Sequence, residues 1–134
     1  MFLKDLIVNT KTVGIEFPGL KGFEVQVAAV SREVSKKLRT DSEVTKIDAK
    51  LKMPITEVDE DKFIEKFADA AIKGWKGLKY SYLSQLLLVD SSKIDDGDKE
   101  VDFNKENVVE LLKHSQIFEA WINEQVFSID RFRD

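Results

Sequence analysis

The stretch Ala71-Ile-Lys-Gly-Trp-Lys-Gly-Leu-Lys-Tyr80, AIKGWKGLKY, places two of the chain's six glycines around a tryptophan, where an apolar helical pattern stops. Upstream, Asp59 reads as a helix N-cap, with Glu60 and Asp61 at the positive end of the dipole and Val58 able to staple onto Phe63. Phe63, Phe67 and Ala71 recur every fourth residue with Ile64 beside them, while Glu65, Lys66, Asp69 and Lys73 fill the opposite side. Gly74 then reads as a left-handed C-terminal stop, Trp75 as a ring folding back over the helix, and Gly77 as a second turn. This reading makes the glycines structural punctuation. GWKG also lacks the spacing and following Lys-Ser/Thr of a phosphate-binding loop.

Toward the N-terminus the period changes to two. Val13, Ile15 and Phe17 alternate with Thr12, Gly14 and Glu16, and Phe23, Val25 and Val27 alternate with Glu24 and Gln26. PGLKG (Pro18 to Gly22) joins the runs with a fixed φ and two permissive glycines, which predicts a β-hairpin. Ser31 caps a short basic helix in REVSKKLR. Residues 40–57 are weakly patterned. Met53-Pro54 disfavours helix there, and Val44, Ile47, Ala49 and Leu51 fit either a third strand or a packed loop.

Toward the C-terminus, Tyr80, Leu83, Leu86 and Leu87 in LKYSYLSQLLLVD have helical spacing, and Ser91 to Asp102 reads as an acidic surface loop. Asn104 caps a helix with Leu111 and Leu112 inward and Phe103 stapled to Val108. Ser115 restarts the pattern, and Ile117, Phe118, Trp121, Ile122 and Val126 form a final amphipathic helix ending near Ser128. Ile129 and Phe132 pin a short tail. The expected class is α+β: an N-terminal antiparallel β-hairpin or small sheet, then a mainly α-helical C-terminal two-thirds. The expected single domain, 1–134, divides into a hairpin region (1–30), a short helix with an irregular segment (31–57) and a helical region (58–134).

A chain of 134 residues, 43% hydrophobic and 34% charged, suits one solvated domain with a real core. It has no cysteine, which excludes disulfides, a thiolate nucleophile and zinc-cysteine sites. The opening MFLKDLIVNTK is interrupted by Asp5 and too short to span a bilayer, so it is expected to dock as a terminal segment of a protein neither secreted nor membrane-inserted. Net charge is −4, unevenly spread. Residues 1–53 carry 10 basic against 7 acidic side chains, net +3, and residues 54–134 carry 11 against 18, net −7. The acidic majority argues against nucleic acid as main partner, and local solvation accounts for the split better than head-to-tail attraction between copies.

No reactive constellation emerges. His114 is the only histidine and sits near a helix end, where imidazolium can face the negative dipole. With Gly97 at the sixth position of a calcium loop, Ile94 and Phe103 occupy the third and twelfth, so the oxygen set fails. The carboxylates Asp59, Glu60 and Asp61 read as a solvated helix start. The expectation is a non-enzyme with no metal and no cofactor. Two stretches bear on binding. Arg32, Lys36, Lys37 and Arg39 form a basic face without interleaved aromatics, read as solvated. The run Leu86-Leu87-Leu88-Val89 cannot all face one small core, so at least one side chain points outward.

The order of landmarks resembles the small tail assembly chaperones of long-tailed bacteriophages. The matching positions are Gly74, Trp75, Gly77, Leu78, Phe103, Asn104, Glu106, Asn107, Leu111, Leu112, Phe118, Trp121 and Phe132. FEVQVAAVSREVSKKL adds the family's strand and Ser-Arg-Glu helix, so the likeness covers about residues 22–132. These are caps, stops and core aromatics, not reactive groups.

The resemblance implies a non-enzymatic chaperone in the host bacterial cytoplasm, absent from the mature virion. It would bind and solubilise the tape-measure protein while tail-tube protein assembles around it. It implies no cofactor, nucleic acid or membrane, and leaves homo-oligomerisation open. Partner binding is placed on Tyr82, Leu83, Leu86 and Leu87. The alternative is a structural minor tail or connector protein of the virion.

Overall fold

The computed structural model describes residues 2–7, 11–128 and 132–133. β1 (Thr12–Glu16) and β2 (Glu24–Ala28) pair antiparallel as expected, from Thr12 opposite Ala28 to Glu16 opposite Glu24. Their connection turns on Gly19 and Gly22, both at φ +85° in the left-handed region, and tucks Leu20 inward. The Phe17 N–H closes it on the Phe23 carbonyl at 2.8 Å.

The helix α1 (Arg32–Asp41) starts on the Ser31 hydroxyl, which accepts from the Val34 N–H. Next come β3 (Glu43–Asp48) and β4 (Met53–Val58), an antiparallel pair forming a separate two-stranded sheet. Its loop is organised by Asp48, whose carboxylate accepts from the Lys50 and Leu51 N–H groups. The irregular stretch expected over 40–57 is therefore a hairpin.

The helix α2 (Glu60–Ala71) has the expected Asp59 cap, accepting from the Lys62 N–H at 3.1 Å. It ends at Ala71, and the chain passes directly into a further strand, β5 (Ile72–Lys76). β5 pairs antiparallel with β2, giving the order β1-β2-β5. Gly74 is thus a strand residue opposite Gln26, not a helix stop, and its φ is not positive.

These strands correct the expected architecture. Strand structure is distributed along the chain, with β3, β4 and β5 lying in the part assigned to irregular and helical segments. The physical reason at β5 is a bulge. Gln26 faces Gly74 but Val27 faces Ile72, leaving Lys73 as the extra residue. Ile72 and Trp75, three apart, can then both turn toward the core, and three is a helical spacing. At β3–β4 the reason is exposure: almost every side chain is exposed, so no buried face imposes alternation.

After Gly77 come a 3₁₀ turn at Tyr80–Tyr82, the one-turn helix α3 (Leu83–Leu86), a second 3₁₀ turn at Ser91–Lys93, and α4 (Lys105–His114) and α5 (Gln116–Val126). Asn104 caps α4 through the Asn107 N–H. Ser115 both ends α4 and caps α5, its N–H donating to Leu111 and its hydroxyl accepting from the Phe118 N–H.

The core lies between the inner face of β2 and the helices α2, α4 and α5. Phe23, Val25, Val27, Phe118 and Ile122 are fully buried there. Phe17 sits edge-on to Trp121 with centroids 4.9 Å apart. The segment Phe2–Ile7 is exposed throughout, contrary to the expected docked terminus. Phe132 is buried as expected, whereas the reading of Ile129 lies outside the described residues.

Candidate partner-binding surface

The glycines around Trp75 have different tasks. Gly77 is at φ +75°, and a Cβ there would run into the carbonyl oxygen of Gly22. It permits the close backbone approach that lets the chain leave β5 beside the β1–β2 turn. Trp75 is half-buried, edge-to-face with Phe23 at 6.4 Å and with Phe103 at 5.2 Å. Its indole N–H donates to the Val101 carbonyl. These three contacts hold the half-buried ring in place.

The four residues assigned to partner binding have different surroundings. Leu86 is buried in the core, while Leu83 and Leu87 are half-buried and pack against it. Tyr82 is half-buried, with its hydroxyl donating to the Lys21 carbonyl at 2.6 Å and Lys79 over its ring. The side chain the sequence required to point outward is Leu88, which is fully exposed. The short length of α3 explains this. The chain turns extended at Leu87, so Leu88 leaves the helical stripe.

Beside these leucines lies a cleft of about 410 Å³, lined by Tyr80, Leu83, Val89 and Ile94 with Asp90, Asp95, Asp96, Lys93 and Lys99 at its mouth. The Ser92 hydroxyl and backbone N–H both donate to Asp90, which holds its carboxyl below the usual carboxylate range. The cleft is lined by three carboxylates against two lysines.

A second cleft, about 290 Å³, was missed by sequence reasoning. Phe63, Phe67 and Phe127 form its floor, stacked at 6.1 and 6.4 Å, and Arg39, Glu60 and Glu119 stand at its rim. The i, i+4 pair Phe63/Phe67 was visible in the sequence. Phe127, beyond the last helical turn and half-exposed, had no periodic signal.

Neither cleft collects reactive groups. His114 is exposed on α4 and meets Glu110 of its own helix at 3.1 Å. Among the described residues no cluster of His, Asp or Glu is placed to hold a metal ion, and no helix is long and apolar enough to cross a membrane. The basic face Arg32, Lys36, Lys37 and Arg39 is exposed along α1.

Residues 19–134 match the family model described as YdaY prophage protein. The chain belongs to this YdaY prophage protein family. The match takes in both sheets and all five helices, from the β1–β2 turn onward except β1 itself. The protein is thus phage-derived. No curated protein and no solved structure matches it.

Proposed function

We propose that this YdaY-family protein is a non-catalytic tail assembly chaperone that binds and solubilises the phage tape-measure protein during tail-tube assembly. The observation that supports the reading most is the apolar surface at Leu83–Val89. Leu88 is fully exposed, and Leu83 and Val89 line a cleft whose mouth carries Asp90, Asp95 and Asp96 with Lys93 and Lys99, one more acidic than basic group. A helix presenting a leucine stripe flanked by lysines matches that combination of apolar floor and anionic rim. Shielding such a helix and later releasing it requires complementary surface and no bond chemistry. Prophage origin and the ordered landmarks from Gly74 to Phe132 support the same role.

Co-purification with a fragment of the tape-measure protein tests the reading. Leu88→Asp should weaken capture at least about tenfold, equivalent to roughly 1.4 kcal/mol, with an unchanged melting temperature. Undiminished capture by that variant would remove this surface from the reading. Mass spectrometry of purified virions addresses the role itself. Stoichiometric presence of the protein would favour a minor tail or connector subunit instead.

A further inference from the structure

The β3–β4 hairpin is a sheet separate from β1-β2-β5, and among the described residues each of its strands pairs only with the other. Its apolar side chains face water: Ile47 is 79% exposed, Leu51 65% and Met53 51%. A lone two-stranded ribbon is marginal in water, and its free edges are templates for further strands.

The two edges are not equivalent. At the base of the hairpin the Asp59 N–H donates to the Ser42 carbonyl at 2.9 Å, which fixes the phase of the ladder. Counting up the register, the hydrogen-bonded pairs are Val44/Glu57, Lys46/Ile55 and Asp48/Met53, and the alternating pairs are Glu43/Val58, Thr45/Thr56 and Ile47/Pro54. The backbone groups of the alternating pairs point outward. On β4 the outward positions are Val58, Thr56 and Pro54, and Pro54 has no N–H to offer, so that edge is interrupted next to the turn. On β3 the outward positions Thr45 and Ile47 keep both donor and acceptor.

We propose that this β3 edge pairs antiparallel with β3 of a second copy about a two-fold axis at Ile47, joining two hairpins into a four-stranded sheet. Charge selects that register. With Ile47 opposite its symmetry mate the strands overlap over Lys46–Asp48, and Lys46 of each copy, 2.8 Å from Glu57 of its own hairpin, also lies opposite Asp48 of the other, giving two opposite-charge pairs. Centring on Thr45 instead would set Glu43 against Ile47 and Val44 against Lys46, with no such complement. The Ile47 side chains meet at the axis, covering the hairpin's most exposed apolar residue. The interface is isologous, so it closes at two copies. It is independent of the chaperone reading.

The chain has no cysteine, so Ile47→Cys introduces a single thiol. An antiparallel hydrogen-bonded pair holds its Cα atoms about 5.5 Å apart, within the roughly 4.4–6.8 Å that a disulfide spans. Under mild oxidation this variant should become a covalent dimer at least about tenfold faster than Leu88→Cys, an equally accessible control on another surface. Light scattering of the unmodified chain should rise with concentration from the monomer to about twice the monomer mass. Ile47→Asp, which sets two carboxylates face to face, should hold the protein monomeric with unchanged circular dichroism. Ile47→Pro should do the same by removing the outward N–H together with the isoleucine side chain. A chain that stays monomeric at every concentration, or a dimer indifferent to both variants and to cysteine placement, would overturn the proposal.

Discussion

The Trp75 indole N–H donates to the Val101 carbonyl at 2.9 Å, across 26 positions of sequence. The bond ties β5 to the segment leading into α4, while the ring's edge-to-face contacts with Phe23 and Phe103 fill the space between. It explains why a tryptophan stands between two glycines. Gly74 lies in the strand opposite Gln26, Gly77 lets the chain turn against Gly22, and the indole anchors the intervening stretch.

Trp75→Phe should keep most of the aromatic packing and lose the donor, leaving the Val101 carbonyl without its partner. A loss of about 1–3 kcal/mol in denaturant unfolding is expected. An unchanged midpoint would mean that water replaces the indole freely and that the bond contributes nothing to this join.

The two glycines should differ sharply. Gly77→Ala forces a side chain into the left-handed region, at a cost of about 1–3 kcal/mol, and drives the new Cβ against the Gly22 backbone. Gly74→Ala meets only the Gln26 side chain at 3.6 Å, an ordinary contact, and should change stability by less than about 1 kcal/mol. Thermal unfolding of the pair checks the ranking, and equal effects would contradict the assigned roles.

The caps at Ser31, Asp59 and Asn104 were readable in the sequence because each acts on the N–H three positions on. The strands were less readable. β5 carries a bulge that imitates helical spacing, and β3–β4 has no buried face to leave an imprint. Periodicity also misplaced Ile117 of α5, which is exposed, and gave no sign of Gln125, which is buried with its side-chain oxygen unpaired. Chemistry alone would have put each on the other side, since helix rotation is fixed by Phe118, Trp121 and Ile122 together. Of the candidate surface, the need for one outward leucine was legible. Its identity was not, because Leu88 is exposed by the early end of α3.

Burial should grade the caps. Asn104 is exposed, so Asn104→Ala should cost about 1 kcal/mol, a usual capping loss. Ser115 is fully buried and sits at the α4–α5 junction, where its hydroxyl satisfies the Phe118 N–H out of reach of solvent. Ser115→Ala should therefore reach about 2 kcal/mol, the upper end of the range. Chemical denaturation of the two variants measures the difference, and a smaller loss at Ser115 would show that the junction relaxes enough to admit water.

The Ser92 hydroxyl, then its N–H, lower the Asp90 pKa by stabilising the carboxylate. A depressed folded-state value means the contribution is present above the unfolded carboxylate pKa and lost as pH falls through the folded one. The mirror case is Lys46, raised first by its hydrogen bond to Glu57 and then by that carboxylate's charge. Its contribution is present below the unfolded lysine pKa and lost as pH rises through the folded one. Both groups are exposed, so salt should weaken each effect. A carbon-detected titration should place the Asp90 midpoint below that of an ordinary aspartate, and Ser92→Ala should return it toward the normal range. If the midpoint is normal before the substitution, the Ser92 turn does not hold its carboxylate in solution.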